Sequence, residues 1–159
     1  MLTFEQMMLR FIAALILGAI LGIERELVGK GEAGVRTEML VAGGAAMFAM
    51  IGVSLPYLVS AGTGNLADVI ARNSGFLTVI ANIVVGIGFL GAGIIVKSGE
   101  HPRGLTTAAL VWATAALGVL IGIGLIPFAM TAAVLIALLL YLLRKTNIQK
   151  QPEIDQESI

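Results

Sequence analysis

Between Arg103 and Arg144 the chain runs from Gly104 to Leu143 without one charged side chain, 40 residues in all. As helix that run measures about 60 Å, twice the ~30 Å hydrocarbon core of a bilayer. It reads as two crossings, broken at the stretch from Gly122 through Gly124 to Pro127. Inside a membrane every backbone amide and carbonyl must be bonded within the protein, which leaves helices or closed barrels. Three more charge-free runs precede it: Phe11–Ile23, Met39–Ala67 and Asn73–Val96. The first covers only about 20 Å as helix, so Arg10 is expected to snorkel to one interface while Glu24-Arg25-Glu26 sits at the other. A cleaved signal peptide is the competing reading. It is rejected because the region before Phe11 is not net basic and no A-x-A-like site follows before Glu24.

The fold class is therefore an all-α integral membrane protein, a bundle of five transmembrane helices over about 4–27, 39–56, 75–96, 105–122 and 127–144. Thr3 and Gln6 have capping-box spacing at the first start, and Pro56 marks the end of the second helix. Residues 24–38 are read as a glycine-rich loop and 97–104 as a turn. Residues 66–73 suit a short interfacial helix in which Asp68 and Arg72 pair, and residues 146–159 a disordered tail. Composition agrees: 13% of residues are charged, where soluble domains average about 25%, and mean hydropathy is +0.98. The absence of cysteine excludes disulfides and thiolate chemistry, and His101 is the single histidine.

Five crossings put loops 24–38 and 97–104 and the C-terminal tail on one side. That side then holds eight Lys and Arg, against Arg10 and Arg72 on the other. The positive-inside rule places the N-terminus outside and the C-terminus in the cytoplasm.

The third crossing carries Gly86, Gly88, Gly91 and Gly93 within eight residues. Each glycine costs a helix about 1 kcal/mol relative to alanine. Two uses would offset that: close approach of a neighbouring backbone, or a broken helix whose freed polar groups line a site. Asn82 lies one turn before Gly86, and an unbonded amide in hydrocarbon is costly, so it is expected to face the bundle. Small-residue stripes also occur at Gly18–Gly22 and Gly118–Gly122. If the first faces inward, Arg25 and Glu26 follow it inward and Glu24 stands about 100° away. The fourth helix, small on two faces, is expected to be central. The fifth is aliphatic and faces lipid.

Polar groups collect on the cytoplasmic side: Glu24, Arg25, Glu26, Arg36, Thr37, Glu38, Lys97, Thr106 and Thr107. Ionisable groups at membrane depth are candidates for function. Glu24 and Glu26 are the candidate metal ligands, because carboxylates suit a hard cation such as Mg²⁺. No nucleophile–base pair and no nucleotide-binding loop is present, so no enzymatic activity and no nucleic-acid partner is expected.

The strings GIERELVGKGEAGVRTEMLVAGGAAMF (22–48), GIGFLGAGII (86–95) and GLTTAALVWATAALG (104–118), in this order, resemble the membrane domain of the MgtC/SapB family. The resemblance implies a five-helix protein of the bacterial inner membrane with a cytoplasmic C-terminus. It implies association with magnesium limitation and stress, through ion transport or through regulation of other membrane machinery. By position it assigns the acidic–basic–acidic motif to Glu24, Arg25 and Glu26, the Arg-Thr pair to Arg36 and Thr37, the glycine motif to Gly86, Gly88, Gly91 and Gly93, and the threonine pair to Thr106 and Thr107. Asp68 and Arg72 lie further upstream than the corresponding pair in many relatives. Relatives with a cytoplasmic C-terminal domain extend well past Ile159, so sensing by that domain is expected to be missing or supplied by a partner.

Two functions follow as alternatives. A regulator acting by helix–helix contact with a larger complex, such as an ATP synthase or an ion pump, predicts that the Gly18–Gly22 or Gly118–Gly122 stripe is open to lipid. A transporter of Mg²⁺ or another ion predicts a broken third helix and a cavity at Glu24 or Glu26. A homodimer through the same stripes is compatible with either.

Overall fold

The computed structural model describes residues 2–27, 33–63, 75–98 and 101–145. The proposed 66–73 helix, its Asp68–Arg72 pair and the tail lie outside the described residues. Five helices are long and apolar enough to cross a membrane. They are α1 (Phe4–Leu27), α2 (Val35–Thr63), α3 (Gly75–Ile94), α4 (Leu105–Ile123) and α5 (Ile126–Lys145). A two-stranded hairpin, β1 (Val96–Ser98) with β2 (His101–Arg103), links α3 to α4 and pairs Val96 with Arg103. That hairpin replaces the simple turn expected there.

The capping box at the start of α1 is formed. The Thr3 amide donates to Gln6 Oε1 at 3.1 Å and the Gln6 amide to Thr3 Oγ1 at 3.3 Å. The α4–α5 turn is a Schellman motif. Gly124 has φ 103°, its amide donates to the Ile121 carbonyl at 2.9 Å, and the Leu125 amide donates to the Leu120 carbonyl at 2.8 Å. The Gly122 carbonyl is taken by Arg10 Nη1 at 2.7 Å. Arg10 thus sets a cation on the negative end of α4, where the helix dipole favours it.

The second helix differs from expectation at both ends. It starts four residues earlier than Met39 because Glu26 caps it, Oε1 accepting from the Val35 amide at 3.1 Å. It continues through Pro56 to Thr63. Proline removes one backbone bond, a loss that membrane helices tolerate when neighbours compensate.

The bundle is organised on α2 and α4. A Cβ on Gly18 would strike the Glu38 carbonyl oxygen and come within 2.6 Å of Met39 Cα, and one on Gly22 would strike Val35 Cα. A Cβ on Gly118 would strike the Ala42 carbonyl oxygen, and one on Gly122 would lie 2.5 Å from that of Ala46. These pairings run α1 antiparallel to α2 and α4 parallel to it. Both small-residue stripes are therefore buried at backbone contacts inside the bundle. The expectation that one is open to lipid as a docking face is corrected.

Leu17, Leu21, Ala42, Ala46 and Ile121 form the core between α1, α2 and α4, joined by Ala129 and Ala133 of α5. A second layer, Val41, Ala45, Ala49, Val111 and Ala115, receives Ile80, Ile83 and Ile87 from α3. The fourth helix is central as expected, and α5 is largely exposed.

The third helix lies at the rim and is unbroken from Gly75 to Ile94. A Cβ on Gly91 would lie 3.7 Å from Ala108 Cβ, in ordinary contact, whereas one on Gly86, Gly88 or Gly93 would meet nothing within 4 Å. Neither the broken helix nor the clasped helix of the sequence reading is what folds. Its backbone bonds close internally, as lipid demands, whatever its glycine content.

Two substitutions separate these glycine classes. Gly118→Val should destabilise by about 2 kcal/mol or more, because the obstacle is backbone and cannot step aside. Gly88→Ala should be neutral or stabilise by up to about 1 kcal/mol. Denaturant titration in detergent micelles, followed by circular dichroism, measures both.

Candidate functional site

The polar residues separate into two groups on opposite sides of α2. The first lies between α1, α2 and α4. Arg25 is 5% exposed, Thr107 3%, and Glu38 and Thr114 are fully buried. Arg25 follows the Gly18–Gly22 stripe inward, as spacing predicts. Its Nε donates to Glu24 Oε2 at 2.8 Å, and both side chains of this ion pair are largely covered. Glu26 does not follow Arg25. It is exposed, turned toward the start of α2, where it serves as the cap. Glu24 and Glu26, the expected metal ligands, are thus engaged in an ion pair and a helix cap. Among the described residues no three His, Cys, Asp or Glu side chains gather where they could hold a metal ion.

Glu38 was legible only as one more charge of the 24–38 segment. With α2 starting at Val35, it falls in the first helical turn, one turn before Ala42, and so on the face that packs against α4. The Thr114 hydroxyl and the Arg25 guanidinium are the polar groups whose fields reach it. Neither closes a hydrogen bond on it: both carboxyl oxygens and Thr114 Oγ1 are buried without a hydrogen-bond partner. The signal that could have found it is the stripe Thr107, Thr114, Gly118 and Gly122 on α4, whose opposing face on α2 must begin near residue 38.

The second group lines a groove of about 730 Å³ between α2 and α3. Thr37 stands at one end and Asn82 toward the other, with Gly44 and Gly86 between them. Asn82 is exposed on the groove rather than turned into the bundle, and among the described residues it makes no hydrogen bond. Arg36 and Thr106 are exposed and line neither the buried cluster nor the groove, although Arg36 stands one turn before Leu40 at the groove's end. The eight residues proposed as one polar site therefore do not converge. Arg25, Thr107 and the ion-paired Glu24 belong to the buried side; Thr37 and Asn82 belong to the groove, with Arg36 exposed beside its end; Glu26 and Thr106 lie outside both.

An unbroken five-helix bundle with a buried polar cluster and a laterally open groove defines a multi-pass membrane protein. Its sequence matches the MgtC family over residues 11–148, and the chain belongs to that family. It is 44% identical over 131 residues to Protein MgtC of Brucella abortus, covering 82% of this chain and 48% of that protein. It is 39% identical over 137 residues to Protein MgtC of Salmonella typhimurium, covering 86% of this chain and 52% of that protein. The chain thus spans about half the length of the curated relatives it matches. No solved structure matches it.

The buried ion pair makes a sharp stability prediction. Arg25→Met alone leaves the Glu24 charge uncompensated and should cost about 3–5 kcal/mol, whereas Glu24→Gln combined with Arg25→Met should recover much of that loss. A double-mutant cycle in detergent-purified protein measures the coupling.

Proposed function

We propose that this chain serves magnesium homeostasis or stress adaptation in the bacterial inner membrane as a non-enzymatic regulator, acting by helix–helix contact with a larger complex. The carrying observation is the rim position of an unbroken α3, where a Cβ on Gly88 or Gly93 would meet nothing within 4 Å. On the side away from the groove, Ala81, Val85, Gly88 and Ala92 recur at helical spacing, and all four are exposed. In lipid, helices associate by close van der Waals packing rather than by a hydrophobic drive, and small residues permit the approach. An ATP synthase or an ion pump is the class of partner proposed, with the N-terminus outside and the C-terminus in the cytoplasm. Family membership and the eight-to-two distribution of Lys and Arg support this placement.

A second reading, ion handling, is favoured by Glu38, a fully buried carboxyl within a membrane-spanning segment. It rests on Glu38 and Thr114, since the third helix is continuous from Gly75 to Ile94.

A photo-crosslinking residue at position 88 should yield adducts with a subunit of such a complex in cells grown at low magnesium, while the same group at the lipid-facing position 139 of α5 should yield none. Purified protein in liposomes loaded with a magnesium-sensitive dye should show no flux. Flux abolished by Glu38→Gln, with no adduct at position 88, would replace the regulatory reading with the ion-handling one.

A further inference from the structure

We propose that the groove between α2 and α3 binds an anionic phospholipid, one acyl chain lying along Gly44 and Gly86 and the phosphate held at Arg36 and Thr37. The site is separate from the outer face of α3 and does not depend on the partner reading.

Three observations carry it. The first is that the groove is built to stay open. Gly43, next along α2, is packed against Leu15 and Phe11, but a Cβ on Gly44 or on Gly86 would meet nothing within 4 Å. Those two glycines leave a trough that larger side chains would fill.

The second is length. On α2 the groove runs from Thr37 to Phe48 and on α3 from Val79 to Leu90. Each is eleven residues of rise, about 16 Å. That is about half of the ~30 Å hydrocarbon core, the depth of a single leaflet. An acyl chain entering from one face needs that depth. The volume of about 730 Å³ is also in the range of small-molecule sites.

The third is charge at the mouth. One end of the groove lies at the membrane face where α2 begins and α3 ends. Arg36 is exposed one turn before Leu40, which lines the groove, and Arg103 is exposed at the end of the hairpin that follows α3. Among the described residues no carboxylate pairs with either guanidinium. Thr37, at the same end, adds a hydroxyl. Guanidinium groups bind phosphate through paired N–H donors, and an anionic headgroup at this level would neutralise them. A zwitterionic headgroup would do so less well.

Native mass spectrometry of the detergent-purified protein tests the site, with phosphatidylglycerol and phosphatidylcholine of identical acyl chains as probes. Phosphatidylglycerol adducts should dominate. Arg36→Gln should weaken them about fivefold. Gly86→Leu, which fills the trough, should remove most of them, and Gly44→Leu should do the same. Circular dichroism and thermal melting of each variant establish that it is folded. Equal binding of the two lipids, or phosphatidylglycerol binding that survives both glycine variants, would overturn the proposal. Displacement of the adduct by millimolar inorganic phosphate would mark a phosphate site and not a lipid site. A dimer lost in Gly86→Leu with lipid binding unchanged would assign the groove to a helix of a second copy.

Discussion

Backbone-to-backbone contact of α2 with α1 and α4 is the constraint on which the remaining structure depends. Lipid tails are as apolar as leucine side chains, so sequestering apolar surface gains little between helices in a membrane. What remains is dispersion and polar contact, and both fall steeply with distance. Gly18 and Gly22 on α1, with Gly118 and Gly122 on α4, let two neighbours reach the backbone of one helix from two sides. Alanines at 42, 45, 46 and 49 keep α2 correspondingly thin. Once this trio is closed, α3 and α5 have only the outer faces of α4, α1 and α2 left to pack on, and both end at the rim.

The same closure explains the buried polar cluster. Arg25 lies on the stripe that Gly18 and Gly22 define, so a helix turned to bring those glycines against α2 must carry Arg25 inward. Its cost is offset by Glu24, its neighbour in sequence, which reaches the same side through a 2.8 Å ion pair. Glu38 is brought in from the other partner, because its own carbonyl is the atom that Gly18 contacts. One of the bundle's close backbone contacts and its buried, unbonded carboxyl therefore sit at the same residue. A group that is buried without a hydrogen-bond partner is expensive, and a membrane interior offers it no water. Retaining it there makes Glu38 the residue of the buried side that packing alone does not account for.

Much of this was legible in the sequence, and the misses share a cause. The number of crossings, the break at Gly124, the capping box at Thr3 and the central fourth helix follow from charge-free length and local spacing, which are properties of one segment. The inward turn of Arg25 follows from helical spacing too. What failed needed knowledge of a neighbour. Glu26 looked like a companion of Arg25 because nothing local says that the Val35 amide requires a cap. The start of α2 was missed for the same reason. Thr37 and Asn82 share a groove, yet they are 45 positions apart. Glycine was the least readable residue of all: Gly118 and Gly88 stand in similar sequence surroundings, one pressed against a carbonyl and the other facing open space.

That contrast bears on what α3 is for. A helix at the rim of a bundle needs an apolar surface and little else, and α5 meets that need with leucine. The third helix instead keeps Gly86, Gly88 and Gly93 where, among the described residues, a Cβ would meet nothing within 4 Å, each at a cost of up to about 1 kcal/mol in helix propensity. Gly86 opens onto the groove and Gly88 onto the outer face, so the two are not serving one surface. A thin helix with an empty space on each side can be approached from both. One approach ends at a cationic mouth, which suits a lipid; the other is lined by small residues at helical spacing, which suits a helix. Bound together, the lipid would sit behind α3 and fix the surface that α3 offers to the partner in front.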